Sequence, residues 1–280
     1  MPRTKANGIE LDYAEAGTGE TVVLVHGSWS DRNNWLPVTP ALAESFRVVA
    51  YDRRGHGASG RDAVGTRRDQ EDDLAGLIES LGGSAAVIGT SFGASIALGL
   101  ACRRPELFSS LVVHEPPLVS IAAEDPDNWE QLGAVGATIA DVTALVEHGN
   151  EEAAARKFVE EVALGPGAWE LLPPPLRRTM VDSAGSFVAE QQDPDWAGID
   201  LAALASFDAP VLISDGTASP PWFGLITRRL AAAVPAETHT YEDAGHAPHQ
   251  THPEAYLSVV AEFLSCVTQR ASEPLAPSHA

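Results

Sequence analysis

Ser91 is the residue whose neighbours most clearly prepare it for chemistry. It lies in Gly89-Thr90-Ser91-Phe92-Gly93, after the apolar run Ala85-Ala86-Val87-Ile88 and before the small-residue stretch Ala94–Cys102. An apolar strand, a serine between two glycines and a helix make a sharp turn that exposes the serine hydroxyl at the strand end. The positive end of the helix dipole lies at the same point. The pattern therefore predicts that Ser91 is a nucleophile.

A serine hydroxyl reacts poorly at neutral pH and needs a base within hydrogen-bond reach. His246 is the leading candidate, because it ends the segment Asp243-Ala244-Gly245-His246 between the last predicted strand and the last predicted helix. His249 and His252 are alternatives close by, although His252 precedes Pro253 and could simply cap the helix. We expect His246 to take the proton from Ser91.

Strands and helices alternate along most of the chain. Apolar and β-branched runs predict strands at Ile9–Glu15, as an edge strand, and at Thr21–Val25, Arg47–Tyr51, Ala85–Ile88, Ser109–His114, Pro210–Ser214 and Glu237–Tyr241. Helical spacing predicts helices at Trp35–Ala43, Asp69–Leu81, Ala94–Cys102, Phe223–Ala233 and Pro253–Val267. Such alternation predicts an α/β fold with a mostly parallel, doubly wound sheet.

The alternation stops between about residues 117 and 197, where the sequence has helical stretches punctuated by proline and glycine. We therefore predict an α/β core made of residues 1–116 and 198–268, a helical cap made of residues 117–197, and a frayed tail at 269–280. Ligands bind at the carboxyl ends of the strands in such sheets, and the cap is expected to lie over those ends.

The composition limits the partners. The 280 residues carry a formal charge of -21, which argues against nucleic acid or an anionic membrane as a partner. The two cysteines are far apart and indicate neither a disulfide framework nor a metal site. No leader pattern or long apolar run is present, so a cytoplasmic protein is expected. We expect no cofactor or metal, and the sequence leaves the oligomeric state open.

The chain resembles the α/β-hydrolase family over nearly its whole length. The resemblance rests on the loop His26-Gly27-Ser28-Trp29, the segment Asp52-Arg53-Arg54-Gly55-His56-Gly57, the serine turn, the helical cap and Gly245-His246. The order of serine, acid and histidine along the chain is also the order of this family. The resemblance implies the α/β-hydrolase fold, with His26 and His56 shaping loops near the site.

The acid of the triad departs from the commonest family pattern. Most members carry an aspartate three residues after the glycine that ends the penultimate strand, whereas here Ser219 follows Gly216 at that spacing. Glu115 directly follows the strand ending at His114, which should neighbour the strand ending at Ser214. Some members, among them zearalenone-type lactonases and certain haloalkane dehalogenases, place the acid there. We predict Glu115 as the acid, with Asp215 as the alternative.

The remaining site residues follow from the same resemblance. The backbone N–H groups of Ser28 and Phe92 should form the oxyanion hole, so their side chains matter little there. Trp29 could line the acyl pocket or simply pack. One or two cap residues should touch a partly apolar small-molecule substrate; the candidates are Trp129, Trp169, Met180, Phe187 and Trp196.

The predicted function is a serine esterase or lactonase. A serine in the turn distinguishes this chain from the dehalogenase and epoxide-hydrolase branches, whose turn carries an aspartate. Ser91 would attack an ester or lactone carbonyl, and His246 would then activate water to release the acyl group. Hydrolysis of a carbon–carbon bond or a thioester by the same triad is the alternative. A non-catalytic ligand-binding member of the fold is a further one.

Overall fold

The chain folds around one eight-stranded sheet in a computed structural model that describes residues 2–60 and 65–272. Its strands are β1 (Arg3–Ala6), β2 (Ile9–Ala16), β3 (Thr21–Val25), β4 (Arg47–Tyr51), β5 (Ala85–Thr90), β6 (Phe108–His114), β7 (Val211–Gly216) and β8 (Ala236–Tyr241). The strand order is β1-β2-β4-β3-β5-β6-β7-β8. β1, β2 and β4 pair antiparallel, and β3 to β8 all run parallel. The predicted mostly parallel α/β sheet is confirmed.

Helices cover both faces of this sheet and form the cap. They are α1 (Thr39–Leu42), α2 (Arg67–Leu81), α3 (Phe92–Arg103), α4 (Val119–Ala122), α5 (Trp129–Glu147), α6 (Glu151–Phe158), α7 (Ala168–Leu171), α8 (Pro174–Asp182), α9 (Ala184–Gln192), α10 (Leu201–Leu204), α11 (Pro221–Ala233), α12 (Pro248–Thr251) and α13 (Pro253–Ser272). Short 3-10 turns lie at Arg32–Trp35, Pro105–Leu107 and Pro126–Asn128, and a π-helical turn lies at Val159–Ala163.

The central strands are apolar on both sides because each side is covered by helices. In β3, Val23 and Val25 pack with residues of α2, α3 and α11 on one face. Val22 and Leu24 of the same strand pack with residues of α1 and α13 on the other. The continuous apolar runs seen in the sequence are therefore the strands of a doubly wound sheet.

Several predicted boundaries were wrong. β1 pairs with β2, so the strand that begins at Ile9 is not at the edge of the sheet. The helix predicted over Trp35–Ala43 is interrupted at Pro37, which has no backbone N–H for a helix to use. α13 continues to Ser272, so the first part of the predicted tail is helical. The rest of that tail, residues 273–280, lies outside the described residues.

The helices α4 to α9 lie between β6 and β7 and have an apolar core of their own. That core includes Trp29, which comes from the loop after β3 and is fully buried against Phe187 and Phe158, with ring centroids 4.8 and 5.4 Å away. One aromatic side chain of the sheet domain thus holds the cap over the strand ends. No helix in the described ranges is long and apolar enough to cross a bilayer.

The register brings the carboxyl ends of three strands level. Thr90 of β5 pairs with His114 of β6, which pairs in turn with Ser214 of β7. Ser91 and Glu115, each the first residue after its strand, therefore lie on adjacent positions of one edge. The loop after β8, the neighbour of β7, carries His246 to the same edge.

Candidate active site

Ser91 occupies a strained turn that only close backbone packing can hold. Its φ and ψ are 53° and -130°, a combination that non-glycine residues seldom adopt, and its N–H donates to the His114 carbonyl at 2.9 Å. A Cβ on Gly89 would lie 2.7 Å from the Gly93 carbonyl oxygen, and one on Gly27 would lie 2.8 Å from the Ser91 Cβ. The flanking glycines therefore let strand and helix approach closely.

Glu115 and His246 form the central hydrogen bond of the site. His246 Nδ1 donates to Glu115 Oε2 at 2.7 Å, and the Gly216 N–H donates to the other carboxylate oxygen at 2.9 Å. Glu115 is fully buried and, like Ser91, has a positive φ, of 45°. Burial by itself would raise the pKa of Glu115, but the hydrogen bond from His246 and the adjacent imidazoles outweigh it and lower that pKa. The buried group is therefore a carboxylate at neutral pH.

Two further side chains pack around the Glu115–His246 pair. The Phe223 ring, on the first turn of α11, stacks on the imidazole with a centroid distance of 5.0 Å. His114 lies behind Glu115, with Nε2 3.8 Å from Glu115 Oε1 and 3.3 Å from the Gly245 carbonyl oxygen. Sequence reasoning identified neither residue. The nearest signal was Pro220-Pro221, which begins α11 and so places Phe223 beside the histidine loop.

The alternative acid, Asp215, and the alternative bases, His249 and His252, have other neighbours in the structure. Asp215 belongs to β7, and its Oδ2 lies 3.2 Å from where a Cβ on Gly224 of α11 would be, so its carboxylate faces that helix. His249 is buried on the Trp35 ring at 4.6 Å. His252 Nδ1 lies 2.9 Å from Thr251 Oγ1. The structure therefore brings Glu115, rather than Asp215, to the imidazole of His246.

Two cavities meet at Ser91 and His246. The cap-side cavity, of about 120 Å³, runs under the cap and is lined among others by Ser28, Phe92, Ile139, Phe187 and Trp196. The loop-side cavity, of about 110 Å³, is lined among others by Trp29, Asn34, Leu176, Met180 and His249. A molecule with two arms joined at a reactive carbonyl would have one cavity for each arm.

Some of the predicted pocket residues line the two cavities and others do not. Ser28 and Phe92 both line the cap-side cavity next to Ser91, as an oxyanion hole requires, and Trp29, Phe187, Met180 and Trp196 line one cavity or the other. Trp129 was an incorrect choice, because it is 61% exposed at the start of α5 and its Nε1 donates to the Ala123 carbonyl. Trp169 was also incorrect, because it is buried in the cap core and lines neither of the two cavities.

A buried ion pair joins the cap to the site. Glu190 of α9 and Arg53, which follows β4, are 1% and 0% exposed, and both terminal nitrogens of Arg53 donate to Glu190 Oε1 at 2.8 Å. The other carboxylate oxygen accepts from Ser28 Oγ at 2.5 Å. Burial would raise the pKa of Glu190, but the Arg53 charge and the contacts with His56 and Ser28 lower it. Sequence reasoning missed Glu190 and Arg53.

The chain belongs to the alpha/beta hydrolase family, whose model matches residues 22–259. Within the described residues, no group of three or more histidine, cysteine, aspartate and glutamate side chains could hold a metal ion.

Similar proteins include enzymes of different specificity. A 2-hydroxymuconate semialdehyde hydrolase of a Pseudomonas species is 27% identical over 93% of this chain and 92% of its own length. An alpha/beta hydrolase from Sphaerobacter thermophilus is 27% identical, with a TM-score of 0.72 over 94% of this chain and 100% of that one. A thermophilic esterase from Thermogutta terrifontis is 25% identical, with a TM-score of 0.74 over 95% and 99%. The protein is thus a hydrolase, and these names do not decide the bond it cleaves.

Buried histidines make the stability of the fold depend on pH. Burial, with the nearby charges of His114 and His246, lowers the pKa of His249 to about 3. Between that value and about 6.5 the unfolded chain binds a proton that the folded chain does not, so stability falls as pH decreases. From pH 6.5 to pH 5 this one group should cost about 2 kcal/mol.

We expect His249→Phe, which keeps a ring against Trp35, to reduce the loss of stability between pH 7 and pH 5. Chemical denaturation at several pH values measures it. His148→Gln is the matched control, because His148 is exposed and should leave the pH dependence of the wild type in place. Equal slopes for the wild type and His249→Phe would contradict the prediction.

Proposed function

We propose that this protein is a serine hydrolase that cleaves uncharged carboxylic esters, lactones included, through an acyl-enzyme. The observation that supports it best is the buried Glu115 carboxylate at 2.7 Å from His246 Nδ1, on the same sheet edge as Ser91. A carboxylate at Nδ1 fixes the proton there and leaves Nε2 free to accept one. Ser91 and His246 line the same two cavities, which supports the inference that this nitrogen takes the Ser91 proton.

The reaction has two halves. Ser91 Oγ attacks the ester carbonyl while His246 Nε2 takes its proton, and the Ser28 and Phe92 backbone N–H groups stabilise the oxyanion. The C–O bond then breaks, His246 gives the proton to the leaving alkoxide, and the acyl group remains on Ser91. Water enters, His246 removes its proton, and attack on the acyl-enzyme releases the carboxylic acid and restores Ser91. Glu115 stays ionised throughout and stabilises the imidazolium.

The charge of the site favours uncharged substrates. In the part of the chain that the structure describes, neither lysine nor arginine lines the two cavities. Glu161 lines the cap-side cavity. A third cavity at His246, which we call the outer mouth, is lined by Glu161 together with Glu160 and Asp243. A carboxylate-bearing substrate, such as the muconate derivative in the name of one relative, would meet these acids without a cationic partner. This favours neutral esters over an anionic carbon–carbon substrate.

Covalent labelling tests the nucleophile directly. We expect a fluorophosphonate to add one phosphonyl group to the peptide that contains Ser91, and p-nitrophenyl acetate to be hydrolysed. Ser91→Ala should abolish the labelling and lower kcat by at least about 1,000-fold. Ser95→Ala is the matched control, because Ser95 lies one turn further along α3, fully buried, and takes no part in the reaction. A wild-type protein that is not labelled by the fluorophosphonate and hydrolyses no ester would overturn the proposal.

A substrate panel separates the bond types. Neutral aryl esters and lactones should be cleaved, with kcat/KM at least about tenfold higher for a neutral ester than for its matched hemisuccinate, since the acidic mouth repels the latter. A higher kcat/KM on a dienoate carbon–carbon substrate or on a thioester than on the matched ester would instead support the alternative chemistry.

A further inference from the structure

The cap-side cavity adjoins a larger groove of about 610 Å³ at the surface of the cap, between α4, α5 and the end of α9. The cavity and the groove share five lining residues, which are Val119, Val135, Ile139, Gln191 and Trp196. We call these shared residues the junction, because they lie between the cavity at Ser91 and the groove.

The walls of the cap-side cavity, the junction and the groove, together called the passage, are mainly apolar. One side is the stripe of α5 that contains Leu132, Val135, Ile139 and Ala140, which recur at helical spacing. This stripe is only partly covered, since most of α5 is half-exposed or exposed. Trp196 also lines the groove. An apolar stripe with a tryptophan, next to the cavity at Ser91, matches a hydrocarbon chain.

The polar groups of the groove argue against a charged chain. Glu147 lies at its far end and Gln191 at the junction, and no lysine or arginine lines it within the described residues. A chain ending in a carboxylate or a phosphate would therefore meet an acid and no cation. From Ile139 to Glu147 α5 advances roughly 12 Å, so only a long extended arm can occupy the groove beyond the junction.

We propose that the substrates are esters with a long, unbranched, uncharged apolar arm that runs from Ser91 through the junction into the groove. This inference rests on the proposed ester hydrolysis and specifies one arm of the substrate. The compact loop-side cavity holds the other arm, which must be short because that cavity is only about 110 Å³. Each methylene buried in the passage should raise kcat/KM by about two- to fourfold.

The test is the chain-length profile of p-nitrophenyl esters from acetate to dodecanoate. For the wild type, kcat/KM should rise from acetate to octanoate or beyond. Val135→Trp narrows the junction and should lower kcat/KM at least about tenfold more for decanoate than for acetate. Gly136→Phe projects into the groove, where a Cβ meets nothing within 4 Å, and should penalise only the longest esters.

Ala134→Trp is the control. Ala134 is the exposed neighbour of Val135, lines none of the described cavities and should keep the wild-type profile. A wild-type optimum at acetate or butyrate would overturn the inference, and so would an equal loss on acetate and decanoate in Val135→Trp. Fluorophosphonate labelling of Ser91 in every variant tells the failure of the long-arm proposal from the failure of the proposed ester hydrolysis. If Ser91 is labelled but short esters are the best substrates, only the long arm is refuted. If Ser91 of the wild type is not labelled, the ester hydrolase itself is refuted.

Discussion

Replacing Glu115 with glutamine is expected to lower kcat by about 10,000-fold while the fold remains intact. The Gly216 N–H, 2.9 Å from one carboxylate oxygen, will select the amide oxygen of the new glutamine. Its NH₂ group then faces His246 Nδ1, which must accept a hydrogen bond instead of donating one. The imidazole proton moves to Nε2, where it prevents that nitrogen from taking the Ser91 proton. The variant therefore keeps the shape of the site but holds His246 in the tautomer that cannot accept the Ser91 proton.

The matched comparison is Asp215→Asn, which should keep kcat within about threefold of the wild type. Asp215 was the alternative acid predicted from the sequence, but its carboxylate faces α11 rather than the His246 imidazole. Glu115→Asp keeps the charge but draws it back by one methylene, so an intermediate loss is expected. Steady-state kinetics and the rate of fluorophosphonate labelling measure all three. A large loss in Asp215→Asn with little in Glu115→Gln would reverse the assignment.

The sheet and the serine turn could be predicted from sequence because their signals are local. Strands buried on both faces are continuous apolar runs, and the serine turn needs glycine at fixed positions on either side. β1 was missed because its four residues, Arg-Thr-Lys-Ala, carry no such run. Its place in the sheet comes from antiparallel pairing with β2, which no local pattern records.

The contact between Glu115 and His246 could be predicted because the two residues follow strands of the same parallel sheet. Glu115 and His246 are 131 positions apart, but each directly follows or nearly follows a strand of the same parallel sheet. Residues after such strands meet at one edge whatever their separation in sequence. The strand order β6-β7-β8 then puts Glu115 two strands from the histidine loop, within reach of a glutamate side chain.

The cap offered no comparable rule. Its helices are short and connected by irregular turns, so helical spacing alone does not tell which face meets the sheet domain. Trp129 and Trp196 are both tryptophans of this region, but the first is 61% exposed and the second lines the junction. The contact between Glu190 and Arg53 joins residues 137 positions apart across the boundary between cap and core, which no spacing in the chain reveals.

Removing Glu190 is the substitution outside the triad that should affect the protein most. Glu190→Ala leaves the guanidinium of Arg53 fully buried without its counter-charge, and a broken buried pair costs about 3–5 kcal/mol. The variant should also lose activity, because Glu190 anchors Ser28 Oγ, and Arg53 also donates to the Gly27 carbonyl at 2.9 Å. Both contacts fix the loop whose backbone N–H at Ser28 is proposed to hold the oxyanion.

Denaturation in guanidinium chloride measures the loss of stability in Glu190→Ala, and Glu170→Ala is its matched control. Glu170 also lies in the cap and pairs with arginines, but that side chain is 59% exposed, so its removal should cost little. The double variant Arg53→Met, Glu190→Leu should recover part of the stability, because it removes both charges and keeps apolar volume between cap and core. Its kcat should remain low, since Ser28 Oγ has lost its acceptor. A Glu190→Ala protein within about 1 kcal/mol of the wild type would show that water or another group replaces the carboxylate, and that the cap does not depend on this ion pair.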